Sequence, residues 1–270
     1  MHSLLSFWKE PDSRLYFKKI YQKSSRFANW EPARRIELGD YGTLNKRTGE
    51  FLKDGSIFSH PATKEHAAKL TRRDWATDSI QEYISFEASR LQFESGPEID
   101  VSGLAAAEVA LRYRFKGGRG AILVMHRPHP KTLEGDLKNL PAIPNKHIVT
   151  SVVDCPDYYM FLSHKEVGDV SLILRASAPA VPGVAAGGKV GGGWQHIGLG
   201  GTCKASQPGN EYTPLYETRV WSKLSRLRSD GEDLTAEEGW VPTVPPWKTL
   251  DSDGEEGESD SDDDNDGNGD

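Results

Sequence analysis

The strongest constraint on this chain is a strict alternation of apolar and polar residues at 108–115. Val109, Leu111, Tyr113 and Phe115 occupy one side of this segment, and a glutamate, an alanine and two arginines occupy the other. A period of two is typical of a β-strand with one buried and one wet face, because successive side chains of a strand point to opposite sides. We therefore predict a strand here, with partner strands elsewhere in the chain.

Other segments have the alternation or the composition of strands. At 80–88, Ile84 and Phe86 share one face of the pattern with two further apolar residues. A hairpin is predicted over 36–58, with a tight turn at 53–56, because turn-forming residues alternate there with single apolar residues. Four further runs are rich in the β-branched and aromatic residues that favour strands, at 148–153, 158–162, 170–176 and 215–221.

Helical patterns are few. Residues 3–24 fit either a strand or a helix that is capped by Asp12 or Ser13, and 131–140 would place three leucines on one face of a short helix. Nine of the nineteen residues at 183–201 are glycine, which predicts a mobile loop. Because strands and helices do not alternate regularly, we expect an α+β fold, a twisted and largely antiparallel sheet with surrounding helices.

The charge is distributed unevenly along the chain. There are 33 Lys or Arg and 40 Asp or Glu, but eleven of the acids lie in 251–270, where no basic residue occurs. The rest of the chain therefore holds 29 acids and is mildly basic. The first 35 residues alone carry eight basic residues against three acids. This asymmetry favours an anionic partner, lipid or nucleic acid, over a metabolic substrate.

The basic residues near the N-terminus are the candidate ligands of that partner. In a helix, Leu15, Ile20 and Tyr21 would form an apolar face opposite a basic one. On a membrane the basic side chains would meet anionic headgroups, whereas on nucleic acid they would meet phosphates while the interleaved aromatic residues stacked on bases. A solvated basic surface without a ligand is the third interpretation. The residues that we assign to acidic-lipid binding are Lys9, Arg14, Lys18, Lys19, Lys23, Arg34 and Arg35.

No motif predicts catalysis. Residues 183–189 match the spacing of a phosphate-binding loop, but Val190 follows where a magnesium-binding hydroxyl is needed. His126 and His129 are separated by a proline, which forbids the helical spacing of a metal pair. We therefore expect no enzyme, no cofactor and no metal site. We also expect an intracellular protein, because no apolar run reaches the roughly 18 residues of a membrane helix and the start of the chain is too short for a signal peptide.

The chain resembles a known family at several points. The resemblance is carried by Trp30 and Pro32, by Leu38-Gly39-Asp40-Tyr41-Gly42, by Asn45-Lys46-Arg47-Thr48-Gly49-Glu50-Phe51 and by Gly55-Ser56-Ile57-Phe58. These residues, and the order of elements over 5–228, are similar to those of fungal gasdermin-like proteins, the regulator-of-cell-death group, and more widely to the pore-forming domain of gasdermins.

The resemblance implies a function as well as a fold. Two stretches would unfold on activation and extend into amphipathic hairpins, and many copies would close into a transmembrane β-barrel on acidic lipids such as cardiolipin, phosphoinositides or phosphatidylserine. The partners would be lipid and further copies or an allelic variant, with no nucleic acid. The pores would kill the cell, in fungi during heterokaryon incompatibility. The protein would be cytoplasmic when inactive and at the plasma membrane, or alternatively a mitochondrial membrane, when active.

Family membership and the alternation together locate the inserting hairpins. The first would use 80–94 and 108–115, and the second 147–163 and 168–178. We expect a pore-forming domain at 1–230, a Pro/Trp linker at 231–250 and a disordered acidic tail at 251–270 in place of the inhibitory domain of animal gasdermins. The residues assigned to membrane insertion are Ile84, Phe86, Val109, Leu111, Tyr113, Phe115, Val170, Leu172 and Leu174.

Overall fold

The computed structural model describes residues 11–77, 79–92, 107–164, 166–175, 193–224 and 237–247. Several predictions fall outside these residues. They concern Lys9, the phosphate-loop match at 183–189, the end of each predicted hairpin at 93–94 and 176–178, the linker residues 231–236 and 248–250 and the acidic tail at 251–270.

Two α-helices, a short 3₁₀ helix and sixteen strands are formed by the described residues. The helices are α1 (Asp12–Ser24), α2 (Lys64–Ala67) and the 3₁₀ helix η1 (Leu137–Asn139). The strands are β1 (Phe27–Ala28), β2 (Asp40–Leu44), β3 (Phe51–Ser56), β4 (Thr71–Asp74), β5 (Ile80–Ile84), β6 (Ala88–Leu91), β7 (Ala107–Lys116), β8 (Ala121–His126), β9 (His129–Glu134), β10 (His147–Cys155), β11 (Asp157–Ser163), β12 (Val167–Arg175), β13 (Trp194–Gly198), β14 (Gly201–Ala205), β15 (Tyr212–Leu224) and β16 (Glu237–Pro242).

The strands pair antiparallel in three sheets. Sheet A has eight strands, with the order β1-β15-β10-β2-β3, and with β16 beside β15, β9 beside β10 and β4 beside β9. Sheet B has the order β14-β11-β8-β5, and sheet C has the order β13-β12-β7-β6. The prediction of largely antiparallel pairing is confirmed. The expected single sheet with surrounding helices is wrong, because the fold is sheet-rich and has little helix in its described part.

Sheet B is the middle layer of one half of the molecule. One of its faces packs Leu123, Met125 and Met160 against α1, and the other packs Ile122 and Phe161 against sheet C. Because both faces are covered, β8 is buried throughout and its sequence is a continuous apolar run instead of an alternation. This strand was not predicted, because its sequence has no alternation of apolar and polar residues.

Sheet A carries a separate core. Ile148, Val152 and Tyr216 pack there with the 3₁₀ segment, and Trp240 of β16 donates a hydrogen bond from Nε1 to the carbonyl of Leu140 at 3.0 Å. Part of the predicted linker at 231–250 is therefore a strand of this sheet. Its second tryptophan, Trp247, also packs against the folded body.

Three local predictions are wrong for identifiable reasons. The helix at 131–140 is instead β9 followed by η1, because Gly135 has a φ of 124° that a helix does not allow. The turn at 53–56 lies inside β3, and the chain reverses at Asn45, whose side chain accepts hydrogen bonds from the next turn, and at Gly49. The glycine-rich region is not all loop, since β13 and β14 form there.

The predicted strand at 80–88 is also interrupted. β5 ends at Ile84, and Ser85 is buried with its Oγ accepting a hydrogen bond from the backbone of Ala121 at 2.9 Å. The chain then turns and continues as β6 in a different sheet. The alternation persists across this break, so the pattern alone did not reveal it.

Candidate functional site

Helix α1, which carries most of the candidate lipid ligands, is docked on sheet B. Of the two alternatives left open for 3–24, the described residues form the helix, but Pro11 is the N-cap, and Asp12 and Ser13 lie inside the first turn. Tyr16 and Phe17 are almost fully buried, and the hydroxyl of Tyr16 donates to the carbonyl of Ile122 at 3.1 Å. More than one face of α1 is therefore packed against the protein, and little of the helix surface remains for an exposed basic face.

The candidate lipid ligands are not presented together in this conformation. Lys18 and Lys19 are each 3 % exposed, which contradicts the predicted basic face of the helix. Arg35 is ion-paired with Asp154 at 3.3 Å and with Glu211 at 2.9 Å, while Arg34 is exposed. Arg14 and Lys23 are half-buried on α1. The structure thus shows these basic groups engaged with the folded body and not assembled on one surface.

Polar contacts at three points of α1 hold it against neighbouring turns and strands, and we call them the α1 latch. Near its start, Asp12 accepts hydrogen bonds from Arg119 at 2.7 Å and from Thr202 at 2.9 Å. In its middle, Lys19 is ion-paired with Glu87, and the two side chains are 4 % and 12 % exposed. Thr202 lies in β14 of sheet B, whereas Arg119 and Glu87 lie in segments that connect sheets B and C.

The third contact of the latch lies at the end of α1. The ammonium group of Lys23 stands 3.1 Å from the ring centroid of Phe86, a geometry of cation–π attraction. Burial lowers the pKa of Lys23, and the nearby Glu87 opposes that shift. We predicted Phe86 among the membrane-inserting residues. In the folded protein it is 52 % exposed in the turn between β5 and β6, and it does not lie on a buried apolar face of either strand. Glu87 could not be predicted as the partner of Lys19, because the two residues are 68 positions apart in the chain.

Of the remaining predicted hairpin residues, Ile84 lies on β5 of sheet B, and the other seven lie together on one face of sheet C. Leu111 faces Leu172 across β7 and β12, and both are at most 2 % exposed. This face packs against sheet B in a single core. The predicted residues that share this core are Ile84, Val109, Leu111, Tyr113, Phe115, Val170, Leu172 and Leu174.

The opposite face of sheet C carries charged side chains. Asp169 accepts from Arg112 at 2.8 Å and from Arg114 at 2.9 and 3.2 Å. The hydrogen bond from Arg114, against the opposing effect of burial, lowers the pKa of Asp169. Ile173 lies on the same face as Asp169 and is 1 % exposed, so only part of this face of sheet C is charged.

The topology of sheet C differs from the predicted hairpins. β6 and β7 pair as expected for the first hairpin, with Leu91 opposite Arg112. The segments of the second predicted hairpin, 147–163 and 168–178, do not pair as one hairpin in the folded state, because β10 belongs to sheet A and β11 to sheet B, and the chain changes sheet at Pro156. Instead β12 pairs with β13 and also with β7. The hairpin predicted for the inserted state stays a prediction.

Sheet C is thus two antiparallel pairs lying side by side. In the described residues, β6 ends at Leu91 and β7 begins at Ala107, while β12 ends at Arg175 and β13 begins at Trp194. Arg175 pairs with Ala107, and Leu174 pairs with Trp194. These strand ends therefore lie at the same end of the sheet.

Polar contacts join sheets B and C at two edges. At the β6 edge, the hydroxyl of Tyr113 donates to Glu82 at 2.5 Å, and Arg90 contacts the same carboxylate at 3.2 Å. Burial, helped by the charge of Glu82, raises the pKa of Tyr113. At the β13 edge, Tyr159 is hydrogen-bonded to Nδ1 of His196.

The histidine of the second edge is held on both sides of its ring. Its Nε2 lies 2.9 Å from the carbonyl of Leu199, which can only accept, so Nε2 carries the proton and Nδ1 accepts from Tyr159. Burial lowers the pKa of His196, and the carbonyl of Leu199 opposes that shift. Neither edge contact was found from the sequence, since each joins residues that are far apart in the chain.

The described residues contain no cluster of three metal-ligating side chains. Cys155 is buried, and burial raises its pKa, which disfavours the thiolate form. Among the described helices, none has both the length and the apolar character to cross a membrane.

Comparisons with known proteins add no assignment. No protein-family model matches the chain, and no curated protein matches it. The resemblance to gasdermins therefore stays a prediction, and the function must be argued from sheet C and α1.

Proposed function

We propose that this chain is a pore-forming protein of the gasdermin N-terminal-domain type, which binds acidic phospholipids, oligomerises and opens a transmembrane β-barrel. The observation that carries the proposal is sheet C, with two adjacent strand pairs, one apolar face and one partly charged face. Strands that cross lipid in a barrel have about 9–11 residues with alternating faces. β7 has 10 residues and β12 has 9.

Activation in this proposal separates sheet C from sheet B. The apolar face of sheet C then exchanges its contacts in the protein core for lipid acyl chains, which are about as apolar as leucine. The charged face, with Arg112, Arg114 and Asp169, turns towards water in the pore. The same alternation serves the folded protein and the inserted one, because each state covers one face and wets the other.

Acidic lipid supplies the bias towards the active state. Lys18 and Lys19 meet lipid only after α1 leaves sheet B, because they are 3 % exposed while it is docked. Each basic residue near an anionic surface contributes about 1 kcal/mol. A membrane that binds the released helix better than the docked one shifts the population towards release. The α1 latch opposes this shift and keeps the protein inactive away from membranes.

The biological setting follows from the resemblance. We propose that the pores cause lytic cell death in fungal heterokaryon incompatibility, through copies of this chain or an allelic variant. The inactive form resides in the cytoplasm, and the active form at the plasma membrane or a mitochondrial membrane. The acidic residues of 251–270 act in place of an inhibitory domain.

Dye release from vesicles tests the proposal. We expect leakage from vesicles of phosphatidylcholine with phosphatidylserine or cardiolipin, and none from phosphatidylcholine alone, because only anionic headgroups bind the released basic helix. A gel shift with RNA at the same ionic strength tests the nucleic-acid alternative. Equal leakage from both vesicle types, or RNA binding without leakage, would contradict the proposal.

Tryptophan quenching tests the role of sheet C itself. Trp194 is 1 % exposed in the core between sheets B and C. Acyl chains that carry bromine quench tryptophans in contact with lipid, so we expect quenching that is reduced in Trp194→Phe. Trp240→Phe, on sheet A, is the matched control and should leave the quenching unchanged. Leakage with no Trp194-dependent quenching would show that sheet C does not enter lipid.

A further inference from the structure

A cavity with polar and apolar walls lies over sheet A, at the C-terminal end of α1. Its volume is about 160 Å³, and its walls come from the end of α1, β1, β9, β10, η1, β15 and β16. The side chains that share a hydroxyl group in this lining are Ser25, Thr132, Thr150, Ser151, Thr218 and Thr243. Tyr21, Phe27, Leu133 and Leu137 supply aromatic and aliphatic surface in the same cavity.

A β-bulge helps to form the cavity. The register of β10 against β15 shifts between Val149 and Ser151, so Thr150 has no direct partner on β15. An extra residue of this kind bends a strand and redirects side chains, and bulges occur often beside functional sites. Thr150 and Ser151 both line the cavity as a result, although neighbouring residues of a regular strand would point to opposite faces.

Thr218 is the residue that points to a ligand. It is 3 % exposed, and its Oγ1 is buried without a hydrogen-bond partner among the described residues. Buried hydroxyl groups in native proteins nearly always have a partner, so such an exception calls for a bound molecule that completes it. Thr243, in contrast, already contacts Nδ1 of His147 at 3.0 Å.

The charged groups of the lining favour a neutral ligand. Glu217 is ion-paired with Arg26 at 2.7 Å, and Arg219 donates to the carbonyl of Trp240 at 3.4 Å. One carboxylate and one guanidinium, each with a partner in the protein, leave no excess charge to attract an ion. Hydroxyl groups both donate and accept, so a lining of serines and threonines suits a ligand that carries several hydroxyl groups.

We propose that this cavity binds a small neutral polyol, of the size range from glycerol to a cyclitol or monosaccharide. A cavity of about 160 Å³ has room for several water molecules, which suits a ligand of this size. The hydroxyl edge of the ligand pairs with Thr218 and its neighbours, and its C–H faces pack on Tyr21 and Phe27. The polyol is either a free molecule or the headgroup ring of a lipid.

Thr218→Val tests the proposal, because it removes the hydroxyl and keeps the shape of the side chain. Amide chemical shifts of the full chain are followed during titration with glycerol, myo-inositol and glucose. We expect saturable shifts at cavity residues with at least one polyol, and at least a tenfold weaker affinity in Thr218→Val. Thr43→Val, on β2 of the same sheet and outside the cavity, is the matched control and should bind as the wild type does.

Thermal melting separates binding from the general stabilisation that polyols give to all proteins by exclusion from their surfaces. Without ligand, Thr218→Val should melt no lower than the wild type, since no hydrogen bond within the protein is lost. Equal and non-saturating responses of the wild type and Thr218→Val to all three polyols would overturn the proposal, as would a clear loss of stability in the unliganded variant.

A vesicle arm identifies the source of the ligand. If the ligand is a lipid headgroup, Thr218→Val weakens binding to phosphatidylinositol vesicles and leaves binding to phosphatidylserine vesicles unchanged, and free myo-inositol competes. If the ligand is a free polyol, the two proteins bind both vesicles equally while the soluble titration still differs. The soluble titration does not depend on pore formation, so its outcome is distinguishable from a failure of the proposed function.

Discussion

The Lys19–Glu87 ion pair gives the sharpest test of the α1 latch. Glu87→Gln keeps the shape of the side chain and removes the charge that faces an ammonium group only 4 % exposed. Removing one partner of a buried ion pair costs about 3–5 kcal/mol. Glu87 is 12 % exposed, and glutamine still accepts a hydrogen bond, so we expect a smaller loss of about 2–3 kcal/mol in docking of the helix. At 1.4 kcal/mol per factor of ten, the released helix becomes about 30 to 150 times more populated.

Leakage and melting must be measured together for this variant. Glu87→Gln should release dye from vesicles with less acidic lipid than the wild type needs, while circular dichroism shows a folded protein at the assay temperature. Glu134→Gln is the matched control, because it breaks an ion pair with Arg73 whose side chains are 47 % and 68 % exposed. Such an exposed pair contributes at most about 1 kcal/mol, so the control should need as much acidic lipid as the wild type.

A double variant distinguishes latch release from general damage. Lys19→Met with Glu87→Leu replaces the buried pair by apolar groups of similar size, which is often neutral or stabilising. We expect this variant to melt at or above the wild-type temperature and to leak less. An unchanged lipid requirement in folded Glu87→Gln would refute the reasoning that this ion pair restrains α1.

Three further predictions concern the edge histidine, the other edge of sheet C and the tail. Burial lowers the pKa of His196, so the unfolded chain, with a histidine pKa of about 6.5, binds the proton more readily. The free energy of unfolding, measured with urea, should thus be constant above that pH and fall below it. His196→Gln should reduce the slope of this free energy against pH without abolishing it, since burial also lowers the pKa of His147. An unchanged slope would show that His196 does not contribute to the pH dependence. Tyr113→Phe removes a hydrogen bond to the charged Glu82 and should lower the free energy of unfolding by about 1.5–3 kcal/mol, and a loss below about 0.5 kcal/mol would mean that the edge contact does not matter. Deleting 251–270 should reduce the acidic lipid needed for vesicle binding at low salt and change it little at high salt, where the charges are screened; identical titrations at low salt would remove the tail from the mechanism.

The sequence predicted β7 from its alternation, and β10 and β11 from their β-branched and aromatic composition. The alternation at 108–115 identified β7, because each of its faces meets one environment. It missed β8, whose two faces are both covered and whose residues are therefore uniformly apolar. It also joined β5 to β6, since the buried hydroxyl of Ser85 occupies a polar position of the alternation at the point where the chain changes sheet.

The candidate site was predictable in its composition but not in its contacts. The buried side of β7 at Leu111 follows from the local alternation, whereas 170–176 was predicted only as a strand from its composition. The assignment of Leu111 and Leu172 to membrane insertion stays a prediction. The burial of Lys18 and Lys19 was not predicted. A helical pattern shows which residues share a face of the helix, but it does not show which of these faces the rest of the protein covers. The partner of Lys19 comes from a turn 68 residues away, and only the assembled fold brings the two together.

In the proposed mechanism, the edges of sheet C control its release more than its core does. Leu111 and its apolar neighbours leave a protein core for acyl chains, and neither environment hydrates them, so this exchange changes the free energy little. The hydroxyl of Tyr113 and the ring of His196 lose their partners on sheet B, and polar groups without partners are strongly disfavoured in lipid. The barrier to opening therefore lies mainly in these edge contacts and in the latch that holds α1. It follows that conservative changes at Glu82 or Tyr159 should alter the rate of pore formation more than conservative apolar changes at Leu111.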